Sequence, residues 1–459
     1  MKRILGLSLI TALLLLGSAC NKLLEVEPQN ETLANEALQN KDDLQKLLNS
    51  CYDVMANATN GRAQIFSELL SDNLEQPFNN DNFREIYTRS SNFFNGTIGS
   101  NYADFYICIY RVNILNQEID KVPGVSPEDK TRILAEASFL RAMANFELVK
   151  LWAQPYGYTS DNGHLGISLR LSPSQDPITR STVAQTYTQI LTDLKAALND
   201  LPESNGNYAG KNAVKGLLAK VYFQMQDYTN ASFYAAEVIN SGNYMMSDSV
   251  NHFDNTSFAS EYVFTFISTS ATDNRASGFI DNYRSDNNAT PQLRISAELY
   301  NLLNVRPSDK RAKLVSVFNE ATENEFYGVL KFNNDFFSVP YVHLTELMMI
   351  RCESLAELNQ DLPTAVSDIN KIMDRAYGQG VVNLPAQANA NDILTAVRYE
   401  RRLEFFAEGD RIQQLKRLGA EGENIVIRNA PWNCPGMILQ FPISEQTSGF
   451  IMNQEGGCN

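Results

Sequence analysis

The sequence predicts a mainly α-helical protein in which tetratricopeptide-like helical hairpins form a scaffold, with long loop-rich insertions and a few short β-strands. Apolar residues recur at spacings of three and four through most of the chain, which is the period of an amphipathic helix. Two helical hairpins, at residues 213–241 and 344–377, are similar to one another. Residues 56–101 and 243–341 lack this period and are rich in asparagine, serine, aspartate and aromatic residues, which indicates insertions in the scaffold.

The amino-terminal half contains the clearest single helices. Residues 42–55 carry one apolar stripe, and residues 102–122 repeat the pattern. A third helix is predicted at residues 126–152, because a serine can cap it, a proline follows at the first helical position and acidic residues occupy the first turn. Residues 182–201 are predicted to form a fourth helix, which a proline ends.

The two similar hairpins indicate a repeat. In each hairpin an aspartate, Asp227 or Asp361, stands where it could cap the second helix, and an alanine, Ala231 or Ala365, follows where two helices can cross closely. A unit of about 34 residues with this plan is typical of a tetratricopeptide repeat. Such units stack, because one hairpin cannot bury its apolar face alone. A last long helix is predicted at residues 390–418.

The two insertions are where we expect a binding surface. Structured insertions in a regular fold are frequent locations of ligand contacts. Residues 262–266 consist of β-branched and aromatic residues, which predicts a short strand inside the second insertion.

The composition argues against two classes of function. The chain of 459 residues has a formal net charge of -15, so it does not supply the clustered lysine and arginine that binding to nucleic acid requires. Its three histidines, His164, His252 and His343, form no HExxH or paired motif, so a zinc hydrolase would lack its ligands. We therefore expect no metal site of the hydrolase kind, no cofactor and no nucleic-acid partner, whereas the sequence leaves a structural calcium ion open.

The amino terminus has the pattern of an export signal. Two basic residues precede an apolar stretch that is too short to span a bilayer, and small residues stand directly before Cys20. Residues 1–19 are therefore predicted to be a signal peptide. Residues 17–20 resemble a bacterial lipobox, in which a signal peptidase cuts before a diacylated cysteine that becomes the new first residue, whereas ordinary secretory cleavage after Ala19 is the alternative.

Five further cysteines follow this lipidation candidate, and an odd number cannot all pair within the chain. Cys51, Cys108 and Cys352 lie among apolar residues in helical patterns, where a free cysteine is usually a small core residue. Cys434 and Cys458 lie in loop-like sequence rich in glycine and proline. In an oxidising compartment, one disulfide between these two is possible.

A series of short motifs extends over essentially the whole chain. The motifs follow one another at residues 22–28, 110–115, 135–142, 217–222, 346–357, 399–411 and 441–444. In sequence and order they resemble the SusD/RagB family, the outer-membrane nutrient-binding lipoproteins of Bacteroidetes. The closing motif departs from the family, because residues 456–458 replace its final Gly-Tyr.

The resemblance implies one SusD-like domain over residues 20–459, anchored by lipid in the outer membrane and facing the exterior. It implies a protein that captures an oligosaccharide and caps a SusC-like TonB-dependent transporter for import, and that is not an enzyme. A peptide ligand, as in some branches of the family, is one alternative. A surface-anchored glycan-active enzyme is another, and a scaffold that binds only proteins is a third.

A carboxylate-rich cluster at residues 400–411 is the main argument for an enzyme, since paired acids carry glycoside hydrolysis. Glu404 and Glu408 each stand three residues from an arginine, however, and this spacing allows ion pairs on a helix. We therefore interpret this cluster as structural ion pairs, either on the helix surface or between elements of the fold, and the similar run at residues 309–311 in the same way.

Sugar binding needs flat aromatic faces and planar polar groups. Phe93, Phe94 and Asn95 precede the second helix, at the place where members of the family commonly carry a ligand aromatic. Packing at the edge of the core is the alternative for these residues. The second insertion is where the other wall of the family's site arises, and its candidates are Phe279, Tyr283, Arg284, Phe336 and Phe337.

Overall fold

The computed structural model describes residues 37–77, 79–174, 176–286 and 290–458. The predicted signal peptide and the lipidation candidate Cys20 lie outside these described residues. Within the described ranges, no helix has the length and apolar character needed to cross a membrane.

Helices make up most of the described chain, as predicted. The helices are α1 (Lys41–Ala58), α2 (Arg62–Leu70), α3 (Asp81–Tyr87), α4 (Gly96–Glu118), α5 (Pro127–Trp152), α6 (Val183–Asp200), α7 (Lys211–Gln224), α8 (Tyr228–Ile239), α9 (Ser277–Tyr283), α10 (Ala297–Asn304), α11 (Leu344–Glu357), α12 (Leu362–Tyr377), α13 (Ala390–Glu404) and α14 (Arg411–Ala420). The strands are β1 (Tyr262–Phe266), β2 (Val315–Phe318), β3 (Phe326–Val329), β4 (Val339–His343), β5 (Val426–Ile427) and β6 (Ala430–Pro431). They form antiparallel pairs, in which β1 joins β4, β2 joins β3 and β5 joins β6.

Side-chain caps explain where the amino-terminal helices begin. The hydroxyl of Ser126 accepts a hydrogen bond from the amide of Asp129 at the start of α5, as predicted. Thr182 and Gln185 form a capping box at the start of α6. Helix α4 begins earlier than predicted, because the side chain of Asn95 caps it.

The two similar hairpins, α7–α8 and α11–α12, are both present, and α8 packs against α11. The hairpins are therefore neighbours in space although they are distant in sequence. Ala231 and Ala365 are buried in these helix crossings. Asp227 caps α8 by accepting from the amide of Asn230, as predicted. The predicted cap at Asp361 is wrong, because its φ of 41° is left-handed and a side-chain cap needs an extended backbone.

The predicted single helix at residues 390–418 is also wrong, because a turn separates α13 from α14. Ala407 and Gly409 in this turn have φ values of 63° and 86°, which end a right-handed helix. Helix α2 approaches the turn so closely that a Cβ atom on Gly409 would lie 2.7 Å from the Cα of Gln64. The amide of Gly409 donates to the carboxylate of Glu68 on α2. The break therefore follows from a tertiary contact.

The insertions contain more helix than predicted. Helices α2 and α3 lie in the first insertion, and α9 and α10 lie in the second. Nearly every residue of α2 is buried, so it has no polar face that would reveal a helical period. The predicted strand at residues 262–266 is confirmed as β1.

The cysteines follow the sequence pattern. Cys51, Cys108 and Cys352 are buried free thiols, as predicted. Cys434 and Cys458 form a disulfide whose Cα atoms lie 5.2 Å apart. This bond ties the carboxy-terminal segment to the loop after β6.

Candidate functional site

Phe93 and Phe94 lie immediately before α4 and their rings are 4.4 Å apart. Phe94 is 71% exposed, and Phe93 is half-buried beneath it. The carbonyl of Phe93 accepts a hydrogen bond from the amide of Ile443, which fixes the segment to the carboxy-terminal region. This arrangement presents an aromatic face to solvent, and such a face can stack on the C–H face of a sugar.

Asn95 is buried, and its side chain is committed to the protein. Its oxygen accepts from the amide of Ile98, and its nitrogen donates to the carbonyl of Asn82 and the carboxylate of Glu85. These bonds hold the start of α4 against α3. The structure therefore places Asn95 as a residue that positions Phe93 and Phe94, and leaves its amide little capacity for a ligand.

Three candidates in the second insertion lie in the core. Phe279, Tyr283 and Phe337 are buried, and their rings pack on Phe332. Phe279 and Tyr283 are four residues apart on α9, so the same face of that helix buries both. Burial raises the pKa of the Tyr283 phenol well above its ordinary value, and Glu68 raises it further. In this structure these rings have no face open to a ligand.

Arg284 and Phe336 are the members of the second group that reach the surface, where both are partly exposed. The guanidinium of Arg284 donates to Asp335 at 2.9 Å and to Asp286 at 3.1 Å. The backbone of Arg284 also pairs with that of Val329 on β3 in an isolated parallel β-bridge. These contacts hold the guanidinium at the edge of the second insertion.

Backbone and side-chain hydrogen bonds join the two insertions. The amide of Glu75 donates to the carbonyl of Arg294 at 2.9 Å. The side chain of Asn80, at the start of α3, donates to Gln292 at 2.9 Å. The amide of Ile295 in turn donates to a carbonyl of β3. The two insertions are therefore bonded to one another.

This junction carries an aromatic pair that the sequence pattern did not reveal. The rings of Tyr300 on α10 and Tyr327 on β3 are stacked with centroids 4.5 Å apart and planes 24° apart, and both are partly exposed. Helix α10 and strand β3 are short, so neither gives a strong periodic signal. We give the name insertion surface to the exposed and partly exposed residues Phe93, Phe94, Arg284, Tyr300 and Tyr327 of the two bonded insertions. These residues supply flat aromatic faces and a guanidinium, groups that are suitable for binding sugar ring faces and hydroxyls.

The carboxylates near residue 404 belong to a buried network of ion pairs. Arg311 contacts Asp309 at 2.9 Å, Glu400 at 2.7 Å and Glu404 at 3.2 Å. Arg375 also pairs with Glu404. Burial alone would raise the pKa of Glu404, but Arg375, His252 and Arg311 lower it well below its ordinary range. These charges form ion pairs, as predicted, although their partners are distant in sequence.

The predicted spacing within the cluster does not give the observed pairs. Arg401 contacts Asp410 at 2.8 Å, and Arg411 contacts Asp72 at 2.8 Å. Glu408 lies 2.6 Å from the ammonium of Lys331. The turn between α13 and α14 takes Glu408 out of helical register with Arg411, whereas Arg401 and Glu404 remain together on α13 but pair with residues from elsewhere in the fold.

His252, His343 and Glu408 form the one group of potential metal ligands within the described ranges, with ligand atoms within 4.8 Å of one another. Both ring nitrogens of His252 already lie 3.0 Å from carboxylates of Glu404 and Glu408. Burial lowers the pKa of His252, but these two carboxylates raise it above its ordinary value, which favours the imidazolium. A further cation beside the imidazolium and Lys331 would be repelled, so the group does not fit a metal.

The protein is a helical scaffold with two bonded insertions that carry exposed aromatic residues, and comparison with known proteins gives its family. Residues 22–223 match a SusD-like family described as starch-binding and associating with the outer membrane, and residues 333–434 match the SusD family that includes RagB. Together the matches span more than half of the chain. The chain belongs to the SusD/RagB family.

Individual relatives agree along nearly the whole length. A SusD-like protein of Formosa agariphila is 24% identical, covering 91% of this chain and 92% of the relative. The crystal structure of a SusD superfamily protein from Bacteroides thetaiotaomicron superposes with a TM-score of 0.78 at 21% identity, covering 91% of this chain and 100% of that one. A laminarin-binding SusD-like protein superposes with a TM-score of 0.72 at 20% identity, covering 90% of this chain and 99% of that one. These structures share the fold of this protein.

Proposed function

We propose that this protein captures a neutral oligosaccharide at the outer membrane and that the insertion surface is where the sugar binds. The exposed ring of Phe94, supported by Phe93, is the observation that carries the proposal. The family description as starch-binding and the laminarin-binding structural relative support a glycan as the ligand class. The net charge of -15 disfavours a polyanionic glycan, because such a ligand would be repelled.

Replacing Phe94 by alanine is expected to weaken glycan binding by roughly 1 to 2 kcal/mol, in line with loss of one aromatic contact at an exposed face. The melting temperature should change little, because the ring is mostly exposed. Isothermal titration with laminarin and with soluble starch measures the affinity, and calorimetry measures the stability.

Phe233→Ala is the matched control, because Phe233 on α8 is 55% exposed and lies outside the insertion surface. Tyr283→Ala should show the opposite behaviour, with a large loss of stability. Removing this buried ring is expected to lower the free energy of unfolding by several kcal/mol. Equal affinities for Phe94→Ala and Phe233→Ala would remove Phe94 from the site.

We further propose that residues 1–19 are removed, that Cys20 is lipidated, and that the single domain at residues 20–459 caps a SusC-like TonB-dependent barrel on the cell exterior. The lipobox-like residues 17–20 and the family's association with the outer membrane support this arrangement. A stable cap of this kind would bury more than about 2,000 Å² of combined surface. Import of the captured glycan is the function that follows.

The Cys20→Ala variant is expected to move from the membrane fraction to the soluble fraction in cells that lack the barrel, because one lipid anchor would be lost. Wild-type protein extracted with mild detergent at low salt should bring down a large TonB-dependent partner. Fractionation with immunoblotting measures the first result, and mass spectrometry of the extract measures the second. Membrane retention of Cys20→Ala without the barrel would contradict the anchor, and recovery of the wild type alone would contradict the cap.

A surface-anchored glycan-active enzyme remains the alternative from another class. The pairing of Glu400, Glu404 and Glu408 with buried cations supports a binding protein, because carboxylates engaged in this way are poorly placed for acid and base catalysis. Turnover assays on a polysaccharide panel separate the two classes, and measurable release of sugars by pure protein would favour the enzyme.

A further inference from the structure

A groove with a volume of about 480 Å³ lies between the helical scaffold and the second insertion and shares no residue with the insertion surface. Its walls are the second half of α1, the loop before α7, strand β1 and Arg275. This volume is within the range of small-ligand sites in proteins. We call it the Tyr208 groove, after the most exposed aromatic residue in its wall.

Aromatic rings form one side of the groove. Tyr208 is 39% exposed, and its ring lies 5.0 Å from that of Tyr52. Tyr52 is in turn 6.4 Å from Phe264, which packs on Phe266 at 5.3 Å. The exposed ring of Tyr208 is therefore supported from below by a continuous row of buried rings.

Hydrogen bonds hold these rings in place before any ligand arrives. The hydroxyl of Tyr52 donates to Glu136 at 2.7 Å and accepts from the amide of Ala209 at 3.1 Å. The loop that carries Tyr208 is closed by Asn205, whose side chain donates to the carbonyl of Ala209 at 3.1 Å. The amide of Tyr208 itself donates to the carbonyl of Asn205 at 3.1 Å. A preorganised aromatic face reduces the entropy cost of binding.

Neutral polar groups line the groove beside these rings. Within the described part of the chain, the hydroxyl of Thr265 is buried without a hydrogen-bond partner. The oxygen of Asn49 accepts from Gln45, which leaves its amide nitrogen facing solvent, and Asn207 is exposed on the loop. The hydroxyl of Thr265 is enclosed by protein atoms, so the amides of Asn49 and Asn207 are the exposed neutral groups that can meet a ligand in the groove.

The charges of the groove balance one another. Arg275 pairs with Asp53 inside the groove and with Asp273 at 3.0 Å beside it. The groove therefore offers no excess positive charge for an anionic ligand, and its amides and hydroxyls are unsuited to a lipid chain. An exposed aromatic face beside amide and hydroxyl groups fits the C–H face and the hydroxyls of a pyranose.

We infer that the Tyr208 groove is a second, accessory binding site for a neutral oligosaccharide. The inference rests on the proposed glycan-binding function and adds a separate site to it. In this site a sugar ring stacks on Tyr208, and its hydroxyls bond the amides of Asn49 and Asn207. Two sites on one chain raise the apparent affinity for a long polysaccharide without any new contact at the first site.

The test compares wild-type protein with Tyr208→Ala, Tyr208→Phe and Phe94→Ala, using laminarihexaose and maltohexaose as probes. Isothermal titration and native mass spectrometry give the affinity and the number of sugars bound. We expect two sugars on the wild type and one on either alanine variant, with binding at the groove weakened about tenfold by Tyr208→Ala. Tyr208→Phe keeps the ring and should retain both sugars. Tyr110→Ala is the control, because Tyr110 on α4 is 37% exposed and lies outside the groove.

The outcomes separate this inference from the proposed function. One bound sugar that is lost in Phe94→Ala and unaffected by Tyr208→Ala overturns the groove site and leaves the insertion surface standing. One sugar lost only in Tyr208→Ala supports the groove and overturns the insertion surface. Failure of the wild type to bind either probe overturns both proposals together.

Discussion

Arg311→Met is expected to destabilise the protein by about 3 to 5 kcal/mol, because it removes the cation at the centre of a buried ion-pair network. The guanidinium of Arg311 is fully buried between Asp309, Glu400 and Glu404, and it also donates to the hydroxyl of Tyr377 at 2.8 Å. Methionine fills most of the same volume, so the loss comes from the charge rather than from a cavity. The carboxylates of Asp309, Glu400 and Glu404 would remain buried with less positive charge beside them.

Urea unfolding at pH 7 measures this change, and Lys310→Met is the matched control. Lys310 is the adjacent residue in the chain and is exposed, so its replacement should change the free energy of unfolding by less than about 0.5 kcal/mol. Similar stabilities for the two variants would show that the network around Arg311 contributes little. Acidification should reduce the difference, because protonated carboxyl groups no longer need the guanidinium.

The helical scaffold could be predicted because its signals are local. Ser126 and Thr182 directly precede the helices that they cap, so each helix start can be recognised from adjacent residues. The break between α13 and α14 has only a weak local signal, because a single glycine such as Gly409 inside a helical pattern does not by itself end a helix. The break depends on the approach of Gln64 to Gly409, and these residues are far apart in the chain.

The solvent exposure of the candidate ligand-binding residues could not be predicted from the sequence either. Phe94 and Tyr283 are both aromatic residues in insertions, yet the first is largely exposed and the second is buried. The spacing of Phe279 and Tyr283 is the local signal for a buried helix face, but α9 is too short for that spacing to stand out. Tyr208 lies in a short loop between helices, where no periodic pattern separates a binding residue from an ordinary surface residue.

Lys416→Met is expected to stabilise the protein by about 2 to 4 kcal/mol at pH 7. Lys416 on α14 is buried, and its ammonium has no hydrogen-bond partner among the described residues. Burial lowers the pKa of Lys416 from its ordinary value of 10.5 to about 7. One pKa unit corresponds to about 1.4 kcal/mol, so the full shift sets an upper limit of roughly 5 kcal/mol, and local relaxation lowers the actual cost.

The lowered pKa of Lys416 also fixes how the stability difference between wild type and Lys416→Met changes with pH. Above pH 7 the folded protein has released the proton of Lys416, whereas the unfolded chain keeps it until about pH 10. Wild-type stability should therefore gain a rising contribution from this residue between pH 7 and about pH 10, because the unfolded state binds more protons there. Lys416→Met lacks this contribution, so its advantage should be largest near pH 7 and below and should shrink as the pH rises. Chemical denaturation across this range, with the exposed Lys195→Met as control, measures the effect. An advantage that does not change with pH would show that better apolar packing, and not the buried amine, is the cause.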